Sequence, residues 1–276
     1  MTSNSDIVAQ FTKMANAFAS AAPIVDEQAL DLLREQTGAS PSDDSLDVAC
    51  GAGVVACHFA SVVSSATGID ITPAMIERAK SLQRRRGLNN TRWDLGDVTQ
   101  LPYAEASFSI VTSRYAFHHM PDAGCVLREM VRVCNPGGVV AVADICASED
   151  ALKADRFNQL ERLNDPTHVR ALSLSEHLSL FRSVGLTDAK VSRYTLDIPL
   201  LRMLAESGRS CEQALEIEKL VRASIEDDML GTNSRHDGNA TIFSYPIAVL
   251  SARKFNGPIA QPDPPLQRTR KERAHR

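Results

Sequence analysis

Glycines and acids recur where predicted strands end, and they are the first residues whose chemistry stands out. Asp47 precedes a turn containing Gly51 and Gly53, and Asp70 follows Gly51 by about 20 residues. A glycine turn between a strand and a helix lets a ligand approach the backbone closely. A carboxylate at the end of the next strand can accept hydrogen bonds from both hydroxyls of a ribose. This spacing fits NAD and other adenosine cofactors equally well.

A third acid, Asp97, closes a predicted third strand in the run Gly96-Asp97-Val98. A carboxylate at that position can accept from the exocyclic amine of adenine, and an ordinary turn aspartate is the alternative of equal weight. For Asp70 the alternative is a helix-capping role before Thr72. Its position between a strand and a helix favours ribose binding.

Two adjacent histidines, His118 and His119, follow a predicted fourth strand. Neutral imidazole is the best general base near pH 7. Because neighbouring residues cannot easily perform the same task, we expect one of them to pack or to bind the backbone. A structural role for both is an equal alternative to a role as base.

The elements that must position these residues alternate between strands and helices. Short apolar runs at 46–50, 66–70, 91–95, 108–113 and 139–143 are separated by helical patterns. This alternation predicts an α/β fold with a parallel sheet and helices on both faces. Ligands of such sheets bind at the carboxyl ends of the strands. The residues expected there are Gly51, Asp70, Asp97, Arg114 to His119, and Asp144.

The chain reads as one domain over residues 1–255. Its predicted parts are a helical segment (1–37), a ligand-binding core (38–147), cap helices with a sixth strand (148–240) and a last strand (241–255). Residues 256–276, which are rich in proline and charge, are expected to be a disordered tail. Phe11 and Phe18 lie on one apolar stripe of the first helix, which suits both a core and a lid.

Composition excludes several classes of protein. The 276 residues are 43% hydrophobic and 23% charged, as in soluble globular domains. A net charge of −4 gives no general attraction to nucleic acid. No apolar run is long enough to span a membrane, and no secretory leader is recognisable. The six cysteines form no CxxC pair, so we predict no metal site and a cytoplasmic location.

Six segments together resemble class I S-adenosyl-L-methionine-dependent methyltransferases of the small-molecule branch. They are DVACGAG (47–53), GID (68–70), GDVTQLPY (96–103), FSIVTSRYAFHHMPD (108–122), LREMVRVCNPGG (127–138) and VVAVAD (139–144). The resemblance implies a Rossmann-like, seven-stranded, mostly parallel sheet with an antiparallel last strand. It also implies a helical N-terminal lid and helical cap insertions.

Matching positions imply roles for individual residues. The methionine part of the cofactor would be cradled by Asp47, Ala49, Gly51 and Gly53. Asp70 would hold the ribose, Ile71 would flank the adenine, and Asp97 with Val98 would contact its edge. Arg114 would lie near the methionine end. In related O-methyltransferases the two histidines and the acid ending the fifth strand lie near the acceptor; these are His118, His119 and Asp144.

The expected function is methyl transfer to a small, apolar or aromatic acceptor, with oxygen favoured over carbon and nitrogen. The expected partners are that acceptor but no nucleic acid and no membrane, and a homodimer is an open alternative. An NAD(P)-dependent oxidoreductase shares the glycine turn and Asp70, but no tyrosine here has a lysine four residues later. A further alternative is a protein of the same fold repurposed for cyclisation or isomerisation, or for binding alone.

Overall fold

The computed structural model describes residues 4–18, 25–206 and 210–255, with the side chains of all of these except 16–18 and 206. The strands β1 to β9 are Asp44–Val48, Ser65–Asp70, Thr91–Leu95, Phe108–Arg114, Cys134–Ala147, Leu172–Ser173, Lys190–Pro199, Arg235–Asp237 and Ala240–Arg253. The helices α1 to α9 are Asn4–Phe18, Glu27–Thr37, Val54–Phe59, Pro73–Arg86, Ala123–Val133, Ala151–Asn164, Leu174–Ser183, Leu200–Glu206 and Cys211–Asp227. A 3₁₀ turn, Phe117–His119, follows β4.

One sheet runs through the molecule in the order β3-β2-β1-β4-β5-β9-β7. The pairs from β3 to β5 are parallel, whereas β9 is antiparallel to both β5 and β7. The predicted fold class and the antiparallel last strand are therefore confirmed. The described chain adds two strands to the seven predicted, β6 beside β5 and β8 beside β9. Each is only two or three residues long, too short for a periodic pattern to reveal.

The two faces of the sheet bury different side chains of the same strands. In β5, Val140 and Val142 pack into a cluster with helix α5, while Ala141 and Ala143 pack into a second cluster with α2 and α3. This alternation follows from the two-residue period of a strand. Because both faces are covered, apolar side chains of the central strands are buried on both sides of the sheet, as is typical of a parallel sheet.

A third cluster joins the cap helices to the far end of the sheet. Phe157 of α6 packs near Phe243 and Tyr245 of β9, together with residues of α8 and α9. The first part of the predicted cap, which begins at residue 148, forms the two helices α6 and α7. Pro166 lies in the gap between them, where its fixed φ and missing N–H disfavour a continuous helix.

Capping residues define the starts of several helices. The side chain of Asp26 accepts from the backbone N–H groups of Gln28 and Ala29, and Ser173 forms a capping box with Glu176. Thr72 occupies the cap position before α4 but makes no capping bond with its own side chain. Strand β1 ends at Val48 and not, as predicted, at residue 50, because Ala49 turns the chain with a φ of +56°.

No helix within the described ranges is long and apolar enough to cross a membrane. The predicted tail, 256–276, and the side chain of Phe18 lie outside the part of the chain that the structure describes.

Candidate active site

A cavity of about 1080 Å³, its open mouth included, lies at the carboxyl edge of the sheet. Loops that follow β1 to β4 form its floor, and helix α1 covers it with Asn4, Ile7 and Phe11. Most of the predicted site residues line it: Asp47, Ala49, Gly51, Asp70, Ile71, Asp97, Val98, Arg114 and His119. Gly53, His118 and Asp144 are not on its wall.

The turn after β1 places backbone against the cavity. Ala49 has a φ of +56°, a conformation that costs a residue with a side chain about 1 kcal/mol or more. Gly53 begins α3, and a Cβ there would lie 2.5 Å from a ring carbon of Trp93 and 2.7 Å from Cβ of Ala79. Gly53 thus lets α3 pack closely against β3 and α4, while Gly51 lies on the cavity wall.

Asp70 links the loop that follows β1 to the loop that follows β2. Its Oδ2 accepts from the backbone N–H of Gly51 and its Oδ1 from that of Thr72, each at 2.8 Å. Burial raises the pKa of Asp70, against the effect of these bonds. Each carboxylate oxygen can accept more than one hydrogen bond. Asp70 can therefore cap the start of α4 and still accept from a ligand hydroxyl.

Asp47 carries an unsatisfied oxygen in the floor of the cavity. Its Oδ1 accepts from the hydroxyl of Thr112 at 3.2 Å, while its buried Oδ2 has no hydrogen-bond partner among the described residues. Burial raises the pKa of Asp47 to about 7, although the charge of Arg114 opposes this. Leaving a buried carboxylate oxygen unpaired is costly, so a cationic ligand group fits this position.

Asp97 lies at the other end of the cavity and already holds two partners. Its Oδ1 accepts from the backbone and the hydroxyl of Thr99, and its Oδ2 accepts from the side-chain amide of Asn4 at 2.8 Å. Partial burial acts to raise the pKa of Asp97. The hydrogen bonds together outweigh burial, so the pKa of Asp97 is below its usual value. The hydrogen bond from Asn4 therefore links helix α1 to Asp97, in the loop that follows β3.

His118 and Asp144 form a buried ion pair behind the cavity wall. The His118 Nδ1 lies 2.5 Å from Oδ1 of Asp144, whose Oδ2 accepts from the His118 backbone N–H. Burial lowers the pKa of His118, but the charge and the hydrogen bond of Asp144, together with the charges of Glu161 and Asp165, raise it by more, so the net pKa is raised. Burial acts to raise the pKa of Asp144, and His118 in turn lowers it. The pair with Asp144 therefore favours the charged form of His118.

His119 is held differently, although it is the next residue. Its Nδ1 lies 3.2 Å from both the carbonyl oxygen and the hydroxyl of Thr167, and Phe11 packs edge-on against its ring at 5.1 Å. Burial, and after it the charge of His118, lowers the pKa of His119 to about 4. The cavity therefore faces a neutral imidazole at physiological pH.

Several residues of the site have no clear signal in the sequence. The ring centroid of Tyr115 lies 4.3 Å from the guanidinium carbon of Arg114. The hydroxyl of Tyr115 shares a hydrogen bond of 2.5 Å with the hydroxyl of Tyr194. Glu161 of α6 is buried and accepts from the hydroxyl of Tyr245 at 2.9 Å. Tyr115 belongs to 114–119, the segment expected at the carboxyl ends of the strands, but nothing in the sequence indicates its contacts with Arg114 and Tyr194. Glu161 could not have been found, since it lies in a helix with many exposed charges.

Comparison with known proteins connects this geometry to a family. The family model of a methyltransferase domain matches residues 40–187. The uncharacterised methyltransferase YcgJ of Bacillus subtilis (strain 168) is 31% identical over 207 residues, 75% of this chain and 82% of YcgJ. The chain belongs to the methyltransferase domain family. This membership supports S-adenosyl-L-methionine as the methyl donor and favours the methyltransferase interpretation over the oxidoreductase alternative.

Other matches agree with this membership. The crystal structure of YcgJ has a TM-score of 0.78 at 28% identity, covering 84% of this methyltransferase and 100% of that chain. The 27-O-demethylrifamycin SV methyltransferase of Amycolatopsis mediterranei (strain S699) is 33% identical over 162 residues, 55% of this chain and 58% of that protein. The chain thus spans more than half, but less than two thirds, of this second relative.

The residues of the methyltransferase cavity fit this donor. S-adenosylmethionine carries a cationic amino group, a ribose and an adenine, and the cavity offers an acid for each. The unsatisfied Oδ2 of Asp47 is the decisive feature, since the amino group would supply the donors and the positive charge that this oxygen lacks. When bound, the cofactor supplies a methyl group activated by the positive charge on sulfur.

Proposed function

We propose that this methyltransferase acts on a small, apolar or aromatic acceptor, and that oxygen is the favoured acceptor atom. One observation carries the proposal: a single cavity is lined both by the acids that suit the cofactor and by the neutral imidazole of His119. The name of the rifamycin-modifying relative also refers to a small-molecule acceptor.

Within this proposal each acid has one task. Asp47 pairs with the amino group of the methionine part, Asp70 holds the ribose, and Asp97 with Val98 contacts the adenine edge. Ile71 flanks the adenine, and Arg114 lies at the methionine end. The arrangement is supported by their shared position on the cavity wall, in the order in which their strands lie in the sheet.

Helix α1 and the 148–240 segment exclude water in this proposal. The lid consists of the described residues 4–18 and 25–37, and the cap of the described residues 148–206 and 210–240, on one domain that extends to residue 255. Asn4, Ile7 and Phe11 already lie on the cavity wall. Since the donor is intrinsically reactive, the protein contributes mainly alignment, exclusion of water and removal of one proton.

His119 is our candidate for the base, and His118 is not. A base must be unprotonated before it acts, and the pair with Asp144 raises the pKa of His118 and so favours its protonated form. A low pKa is sufficient for His119, because the hydroxyl proton of the acceptor becomes strongly acidic as the oxygen is methylated. His118 and Asp144 then support the turn that carries His119.

The assignment of the cofactor is tested by calorimetric titration with two ligands that differ only in the amino-acid part. S-adenosylhomocysteine has this part, and 5′-methylthioadenosine lacks it. We expect Asp47→Asn to weaken S-adenosylhomocysteine by at least about tenfold, the usual value of a charge-assisted bond, and to leave methylthioadenosine unchanged. Asp70→Asn is the matched control, and it should weaken both ligands alike.

The outcomes separate the alternatives. Equal effects of Asp47→Asn on both ligands would remove Asp47 from the amino-acid site. Binding of NADPH in place of both ligands would contradict the choice of cofactor. If S-adenosylmethionine binds but labelled methyl reaches no member of a panel of phenols, alcohols and amines, a protein repurposed for cyclisation or isomerisation becomes the better interpretation.

A further inference from the structure

A chain of short hydrogen bonds leads from the cap to His119. Asp165 and Thr167 lie in the segment between α6 and α7. Oδ1 of Asp165 accepts from the backbone N–H of Thr167 at 2.8 Å and from its hydroxyl at 2.6 Å. The hydroxyl oxygen and the carbonyl oxygen of Thr167 each lie 3.2 Å from Nδ1 of His119. Thr167 is almost completely buried.

The chemistry of these groups fixes where the protons are. A carboxylate only accepts hydrogen bonds, so the hydroxyl proton of Thr167 is directed at Asp165. That hydroxyl can then offer His119 only a lone pair, and the carbonyl oxygen of Thr167 likewise only accepts. Both neighbours of Nδ1 are thus acceptors, and Nδ1 must carry the proton of the imidazole.

The other ring nitrogen is consequently the basic one. A neutral imidazole has a single N–H, so the lone pair of His119 lies on Nε2. Within the described residues, Nε2 makes no hydrogen bond, while the ring itself lies on the cavity wall. The electrostatic surroundings agree, because burial and His118 keep His119 neutral.

We propose that Asp165 and Thr167 are positioning residues that hold His119 as its Nδ1–H tautomer, so that Nε2 presents a lone pair to the acceptor. This inference rests on the proposed function only for the use of that lone pair. During transfer, the acceptor oxygen forms a bond to the methyl carbon while the carbon–sulfur bond breaks and leaves its electron pair on sulfur. The hydroxyl proton of the acceptor passes to Nε2 and afterwards to water.

The tautomer can be observed directly by two-bond ¹H–¹⁵N NMR spectra of protein labelled at histidine. The signal of His119 is the one lost in His119→Gln. We expect wild-type protein at pH 7 to show protonated Nδ1 and unprotonated Nε2. Asp165→Ala removes the oxygen that accepts from both groups of Thr167, which frees the hydroxyl proton to face Nδ1, and the Nε2–H form should then appear. Thr167→Ser keeps the hydroxyl and should leave the tautomer as in wild type.

Turnover provides the second measurement. We expect Asp165→Ala to lower kcat roughly in proportion to the Nδ1–H form that is lost, with the KM for the cofactor unchanged. A His119 signal that shows Nε2–H or a doubly protonated ring in the wild type would overturn the inference, as would an unchanged tautomer in Asp165→Ala. A correct tautomer combined with full turnover of His119→Gln would instead refute the proposed base and leave the positioning roles intact.

Discussion

The pKa values of two consecutive histidines are shifted in opposite directions because their neighbours differ. His118 meets a carboxylate at hydrogen-bond distance, and His119 meets only neutral oxygens and the charge of His118. An adjacent charge and loss of water are the main causes of such shifts. The charge of His118 thereby contributes to keeping its neighbour unprotonated.

Replacing His118 with asparagine tests this coupling. The amide can still donate to Asp144, but it carries no charge. We expect the pKa of His119 to rise from about 4 toward its ordinary value of 6.5, because the repulsion is gone and the charge of Asp144 is no longer balanced. A pH titration of the ring carbon shifts of His119 by NMR measures the change, and the acid limb of kcat should move upward with it.

His168→Gln is the matched control for that experiment. His168 lies 5.6 Å from the ring of His118, and burial lowers its pKa to about 3, so it is neutral already. Glutamine can keep the bond to the Asn158 side chain, which His168 makes at 2.7 Å. The pKa of His119 should therefore not move. An equal rise in both variants would attribute the shift to loosened packing and not to charge.

At the scale of the elements, the packing of α3 against β3 and α4 depends on the missing side chain of Gly53. Alanine there combines a φ of +78° with close contacts to Trp93, whose indole is held by Gln83. We expect Gly53→Ala to reduce the free energy of unfolding by about 2–4 kcal/mol. Urea denaturation measures this loss.

Gly87, at the end of α4, separates the two causes. Its φ is +64° but a Cβ there would meet nothing within 4 Å. Gly87→Ala should therefore lower the free energy of unfolding by only about 1 kcal/mol. Similar losses in the two variants would show that backbone strain alone, without the contact to Trp93, explains the requirement for glycine at position 53.

The same element scale explains what could be predicted from the sequence. Strand ends carry Asp47, Asp70 and Asp97 to one edge because parallel strands share a direction, and this follows from hydrophobic pattern alone. The contact of Thr167 with His119 depends on the path of an irregular segment in the cap. Such a path is determined by long-range packing, which periodicity does not encode. Accordingly, Thr167 and Glu161 were not predicted.

At the scale of the whole molecule, stability depends on buried groups that titrate in opposite directions. Burial raises the pKa of Glu161 and of Asp47 to about 7. Such carboxyls stabilise the folded protein fully when the pH is below about 4, which is their pKa in the unfolded chain. This stabilisation is lost as the pH rises through 7, their pKa in the folded protein. His119 and His168 have lowered pKa values, so their contribution is complete above 6.5 and is lost as pH falls. Between pH 4.5 and 6.5 the two effects offset each other.

Single isosteric variants should therefore show a pH dependence of the free energy of unfolding that differs from that of the wild type, in which the two effects offset each other. Glu161→Gln still accepts from Tyr245 but cannot ionise, so its free energy of unfolding should rise with pH relative to wild type between about pH 4.5 and 7. His168→Gln removes a histidine, so its free energy of unfolding should fall relative to wild type as the pH rises from about 4 to 6.5. Each difference is limited to about 1.4 kcal/mol per pH unit, the value for one proton. Urea denaturation at several pH values measures both, and curves parallel to the wild type would show that these buried groups do not titrate on unfolding.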